Sequence, residues 1–143
     1  YNILIIDSNV IDLKLMNNIF NESKKENYNL KLIDNGVEAE AYVKKIIKDK
    51  IVNSLDLIIL DVKLLELDGN QLLTLLKTNE ETMEIPVLIF SSSNLKQDIV
   101  NSYRLQANCC LSKPVALKDY VNTIRSIKNF WMDSEIVCLP SKF

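Results

Sequence analysis

The chain has 143 residues, 48% of them hydrophobic and 25% charged, with a formal net charge of −2. That is the length and apolar content of one domain with a full core. It carries no Lys/Arg run, no apolar run of bilayer length and no basic flank on its opening NILIID, so nucleic-acid binding and membrane insertion are not expected and a soluble, cytoplasmic protein is.

Histidine is absent, which excludes His-ligated metal, a His general base and a phosphohistidine within the chain. Cys109, Cys110 and Cys138 are odd in number and two are adjacent, which suits reduced thiols better than a disulfide framework. Asn2 to Ile6 reads as a short buried strand ending at Asp7. Ser8-Asn9 are helix N-cap types, and Ile11, Leu15 and Ile19 with Leu13, Met16 and Phe20 supply a helix face that fades near Glu22 to Asn27. Tyr28 to Ile33 alternates loosely as a strand, Asp34-Asn35-Gly36 is a turn, and from Val37 a helix turns Ala39, Val43, Ile46 and Ile47 inward. Lys44, Lys45, Lys48 and Lys50 form its solvated face.

The stretch Leu55 to Gly69 organises the rest. Leu57 to Leu60 are four apolar residues without polar alternation, so both faces of that strand must be covered, as in a parallel sheet flanked by helices. The run stops at Asp61, and Asp68-Gly69 turns the chain into a helix with Leu72, Leu73, Leu75 and Leu76 on one face. Val87 to Phe90 is another unbroken strand, begun by Pro86 where its missing N–H does least harm and ending in Ser91-Ser92-Ser93. Asn94 is placed to cap a helix carrying Ile99, Val100, Tyr103 and Leu105. Cys109 to Leu111 is a short strand, Ser112-Lys113-Pro114 follows, and Leu117 to Ile127 is a last helix with Leu117, Tyr120, Val121, Ile124 and Ile127 apolar. Residues 1–128 are expected to form one domain, with 129–143 an aromatic-bearing tail and no separate output domain. The order βαβαβαβαβα predicts an α/β fold, a doubly wound five-stranded parallel sheet with helices on both faces.

Asp7, Asp61, Ser91 and Lys113 each lie at or just past the carboxyl end of a strand, so in such a sheet they converge although far apart in sequence. Any one of them alone could be a cap or a solvated loop residue; four in this arrangement suggest a site. Two carboxylates hold a hard cation such as Mg²⁺ through oxygens and waters, while a hydroxyl and an ammonium bind a small oxyanion beside it. A carboxylate attacking phosphorus needs positioning and neutralisation of the equatorial oxygens, and Asp61 is the natural acceptor.

These residues carry a resemblance to the receiver domain of two-component response regulators: IIDSN after the first strand, LILDVKLLELDG around Asp61, IPVLIFSSS, and SKP at Lys113. Within that family, IVNSYRLQANCCLSKPVALKDY and the tail NFWM look most like single-domain regulators that partner phytochrome kinases. The resemblance implies a flavodoxin-like fold and phosphoryl transfer from the histidine of a sensor kinase to Asp61. It also implies a Mg²⁺ requirement, phosphoryl binding by Ser91, Ser92 and Lys113, and a switching face built from the fourth helix, fifth strand and fifth helix. Metal would be held by Asp7, Asp61 and the backbone carbonyl of Lys63.

The chain departs from the family pattern at three points. Ser8 stands where most receivers have a second acid, so its contact with metal is expected to be weak or through water. Cys110 stands where the switching aromatic coupled to Ser91 is usual, and its bland reading is a small buried thiol. Leu65 replaces a common proline. A receiver-like interaction module, unphosphorylated because Ser8 leaves the acidic site incomplete, is the alternative reading. A nucleotide or flavin binder is a distant third, since Gly36 and Gly69 lie in no phosphate loop. Tyr103, Phe130 and Trp131, with Ile136, Val137 and Leu139, suggest a partner face or a homodimer, against a tail folded back on its own domain.

Overall fold

The computed structural model describes residues 1–22, 27–50, 55–92 and 96–133. Five strands, β1 (Asn2–Ile6), β2 (Asn29–Ile33), β3 (Leu57–Leu60), β4 (Val87–Ser91) and β5 (Cys109–Ser112), alternate with α1 (Val10–Phe20), α2 (Gly36–Asp49), α3 (Gly69–Thr78), α4 (Lys96–Arg104) and α5 (Leu117–Lys128). All pairings are parallel in the order β2-β1-β3-β4-β5. The order reverses between β1 and β3, which opens a crevice at their carboxyl ends. This is the doubly wound, flavodoxin-like arrangement that the alternation of elements predicts.

The sheet is buried on both faces, which is why its inner strands read as unbroken apolar runs. On one side Leu4, Ile6, Ile58, Leu60, Val87 and Ile89 meet Ala39, Val43 and Ile46 of α2 and Leu72, Leu73 and Leu76 of α3. On the other, Ile3, Ile5, Leu57, Ile59, Leu88 and Phe90 meet Leu13, Met16, Ile19 and Phe20 of α1 and Tyr120, Ile124 and Ile127 of α5.

Asn9 caps α1 by accepting from the amides of Ile11 and Asp12, and Asn35 caps α2 through the amide of Glu38. Ile11 does not join the predicted inward face. It stands 70% exposed, because the buried stripe runs through Leu13, Met16 and Phe20 and Ile11 falls off that line.

α4 departs further from expectation. Ile99, Val100 and Tyr103 stay exposed, while Ser102 is the residue turned to the interior at 1% exposure, its hydroxyl donating to the Asp98 carbonyl. Leu105, just past the helix, is the one member of the expected set that packs on the core. The proposed cap Asn94 lies outside the described residues, as do Ser93, Ile136, Val137, Cys138 and Leu139. α5 runs on into a π-helical turn, Asn129–Asp133. There Trp131 packs against the α1/α5 side of the core, whereas Phe130 is half exposed. Of the two readings of the aromatic tail, Trp131 follows the fold-back.

Candidate functional site

Backbone pairing delivers the site residues. Ladder bonds continue one residue past the strands, from the Asp7 amide to the Ile33 carbonyl at 3.1 Å, from the Asp61 amide to Ile6 at 2.9 Å and from the Lys113 amide to Ser91 at 2.8 Å. Asp7, Asp61, Ser91 and Lys113 are thereby locked to the sheet rather than hung on loops. Gly69 fixes the far side of the loop after Asp61. A Cβ there would lie 2.7 Å from the Asp61 carbonyl oxygen and 2.8 Å from that of Val62, so no other residue lets α3 start this close.

The four residues predicted to converge do so. Asp7, Asp61 and Ser91 are buried, at 2%, 5% and 3% exposure. The Lys113 ammonium donates to Asp7 Oδ2 at 2.5 Å and to Asp61 Oδ2 at 2.8 Å. Asp61 Oδ1 accepts from the Ser91 hydroxyl at 2.8 Å and from the Lys63 amide at 2.9 Å. Asp61 Oδ1 is therefore engaged by two donors, and Oδ2 by the Lys113 ammonium.

A residue that sequence reasoning passed over completes the cluster. Asp12, in the first turn of α1, accepts the third Lys113 hydrogen bond at 2.8 Å. An acid at that position is ordinarily read as complementing the helix dipole. The available signal was its place in the helix that starts directly beyond Asp7.

Burial pushes the Asp7 carboxyl up to about 6, against the lowering effect of Lys113. Burial alone would lower the Lys113 ammonium, but its bonds to Asp12, Asp61 and Asp7 outweigh that and hold it above the ordinary lysine range. It stays charged at any physiological pH.

The remaining predicted residues spread around this core. Ser8 is half-buried, and its hydroxyl accepts from the Leu65 amide at 2.8 Å, tying the β1–α1 loop to the loop after Asp61. Ser92 is exposed and lines a groove beside Lys113 with Asp12, Pro114 and Tyr120. Cys110 is half-buried, and burial, with the neighbouring Cys109, raises its thiol pKa against the lowering effect of Ser102 and Tyr103, which favours the neutral thiol. Beside it, a void of about 20 Å³ lies among Val62, Ile89, Ser91, Ser102 and Cys110, enough for a water molecule. Tyr103 and Phe130 stand clear of the cluster on the exterior.

Among the described residues no group of three or more His, Cys, Asp or Glu is arranged to hold a metal by itself. The carboxylates of Asp7 and Asp61 and the hydroxyl of Ser8 are all oxygen donors. That set suits a hard dication with waters completing its shell and does not suit a soft one.

A doubly wound sheet with paired acids, a hydroxyl and a lysine at its strand ends defines a class, and comparison with known proteins agrees. The chain belongs to the response regulator receiver domain family, whose model matches residues 3–125. It is similar to the response regulator Rcp1 of Synechocystis sp. (strain ATCC 27184 / PCC 6803 / Kazusa), 30% identical over 97% of this chain and 92% of that protein. The polar-differentiation response regulator DivK of Brucella anthropi is 25% identical over 87% of this chain and 93% of its own length. Among solved structures, the Mn²⁺-bound form of response regulator Rcp1 matches with a TM-score of 0.85 at 27% identity, covering 93% of this chain and 95% of that one. The phosphorylated cyanobacterial phytochrome response regulator RcpA matches with 0.82 at 28%, covering 91% and 92%. No helix among the described residues is long and apolar enough to cross a membrane.

Proposed function

We propose that this receiver domain is a cytoplasmic phosphorelay switch that accepts a phosphoryl group on Asp61 from a histidine of a sensor kinase. The observation that carries the reading is the set of donors around Asp61, with Ser91 and Lys63 on Oδ1 and Lys113 on Oδ2. Asp61 Oδ2 forms the bond to phosphorus as the phosphorus–nitrogen bond of the donor breaks, the electron pair staying on the histidine nitrogen, which takes a proton. Lys113 then faces the phosphoryl oxygens, and the Ser91 hydroxyl, already on the same carboxylate, is a second donor beside them.

Asp7, Asp61 and the Lys63 carbonyl would hold Mg²⁺, with Ser8 bound weakly or through a water. When bound, the dication neutralises charge on the transferring group. Having one carboxylate fewer than a two-acid loop predicts weak binding. The alternative of an unphosphorylated module is not favoured, because Asp61, Ser91 and Lys113 are all present and mutually engaged.

Likeness to RcpA, titled a cyanobacterial phytochrome response regulator, supports a phytochrome-like kinase as the donor. Exposed Ile99, Val100 and Tyr103 on α4 and Phe130 beyond α5 support a homodimer or partner contact on that face. Incubation with acetyl phosphate and Mg²⁺ followed by intact mass measurement tests the acceptor. One added phosphoryl group is expected on the parent and none on Asp61→Asn; equal labelling of the two would reject Asp61.

A further inference from the structure

An ammonium has three N–H donors, and in Lys113 each is committed to a different carboxylate, those of Asp7, Asp12 and Asp61. Asp61 is the acceptor and Asp7 a metal donor in the reading above, on which this inference rests. Asp12 has neither role. It reaches Lys113 from α1 and makes the cluster three carboxylates against one ammonium. The negative charge missing at Ser8, on the metal side of Asp61, is thus present on the lysine side.

A phosphoryl group on Asp61 turns one negative charge into about two. It does so beside Asp12, and its oxygens seek the same ammonium. Like charges brought together in an enclosed site repel strongly.

Tyr120 supplies an independent observation. It is 5% exposed with its ring against Phe90, centroids 5.4 Å apart, and it lines the same groove as Asp12 and Lys113. Its hydroxyl is enclosed and forms no hydrogen bond of ordinary length and angle. Burial first, then the charges of Asp12 and Asp7 and a long contact with the Asp12 carboxylate, push its pKa up, so the Tyr120 hydroxyl already lies beside the carboxylate that must give up Lys113.

We infer that Asp12 is a positioning residue acting through Lys113: it restrains the ammonium in the resting state, and hands it to the phosphoryl group when the Tyr120 hydroxyl takes over the Asp12 carboxylate. Asp12 thereby lowers the affinity of the loaded state, and Tyr120 limits that reduction.

Calorimetric titration of the full chain with beryllium trifluoride, a tetrahedral stand-in for a phosphoryl group, at saturating Mg²⁺ tests this. Asp12→Asn should bind about tenfold tighter than the parent, Asp12→Glu, which keeps the charge, should return to the parent value, and Tyr120→Phe should bind more weakly. A merely structural role would not give opposite signs for two neighbours or rescue by Glu. An affinity in Asp12→Asn equal to or below the parent's, one in Tyr120→Phe not below it, or no binding by the parent would overturn the inference. If the parent binds the fluoride as described but takes no phosphoryl group from acetyl phosphate, the acceptor reading fails and the role of Asp12 toward a tetrahedral anion stands.

Discussion

Lys113→Met keeps the buried stem of the side chain and deletes the charge that three carboxylates share. In the parent chain Asp7 titrates at about 6 instead of its ordinary 3.8, because burial outweighs the help of Lys113. A carboxyl whose pKa is higher in the folded state binds its proton more tightly there. Its stabilising effect is therefore complete below pH 3.8 and is lost as pH rises through 6, a change of about 3 kcal/mol. Without Lys113 the main opposition to burial is gone and only the Asn9 amide, 2.9 Å from Asp7 Oδ1, still favours the charged form, so Asp7 moves higher still and the loss continues past neutrality. The variant should therefore fall behind the parent most at alkaline pH. At pH 8 the gap should approach about 3 kcal/mol, as for a buried ion pair broken on one side, or about 10 °C in melting temperature. At pH 5, where both proteins hold a proton on Asp7, it should be clearly smaller. Urea unfolding of both proteins at the two pH values without Mg²⁺ measures this. A gap that is equal at both, or larger at pH 5, would refute the assignment of Lys113 as the group that keeps Asp7 ionisable.

Ser8→Asp restores a second acid to the loop and should tighten Mg²⁺ by about tenfold in calorimetric titration; an unchanged dissociation constant would mean that residue 8 does not face the metal. Gly69→Ala forces a methyl group against the carbonyls of Asp61 and Val62 and should cost about 2 kcal/mol in thermal unfolding; a parent-like midpoint would show that α3 shifts freely. Tyr103→Glu on the exposed face of α4 should leave folding intact and lower the mass seen by light scattering at micromolar concentration, if that face joins two copies. The same monomer mass for parent and variant would reject the dimer.

The sheet was legible because burial on two faces leaves a signature that one-sided packing does not: Leu57–Leu60 and Val87–Phe90 admit no polar residue, and each ends in a residue that reappears in the site. Asp7, Asp61, Ser91 and Lys113 could be placed because strand ends are fixed by the sheet whatever the loops do. Asp12 could not, since an acid in a first helical turn has an ordinary explanation and only the reach of Lys113 reveals another.

α4 was misread for a related reason. Ile99, Val100 and Tyr103 carry apolar spacing, yet the interior position went to Ser102, so spacing alone did not say which side meets β5. Lys77 was equally hidden. It reads as one more surface lysine, whereas its ammonium is buried and donates to the carbonyls of Met83 and Ile85 and to Asn108 Oδ1, tying the end of α3 to the turns that lead into β4 and β5. Gly69 read as a turn signal; its real constraint is contact with the acceptor loop, which appears only once α3 is packed.

Everything functional rests on Asp61 being the residue that carries the phosphoryl group. The direct measurement is to label the protein with acetyl phosphate and Mg²⁺, reduce the acyl phosphate with borohydride and map the peptides by mass. Conversion of Asp61 to homoserine, with Asp7 and Asp12 unchanged, is the predicted result. Homoserine at Asp7 or Asp12, or at no position in a fully folded and Mg²⁺-saturated sample, would contradict it.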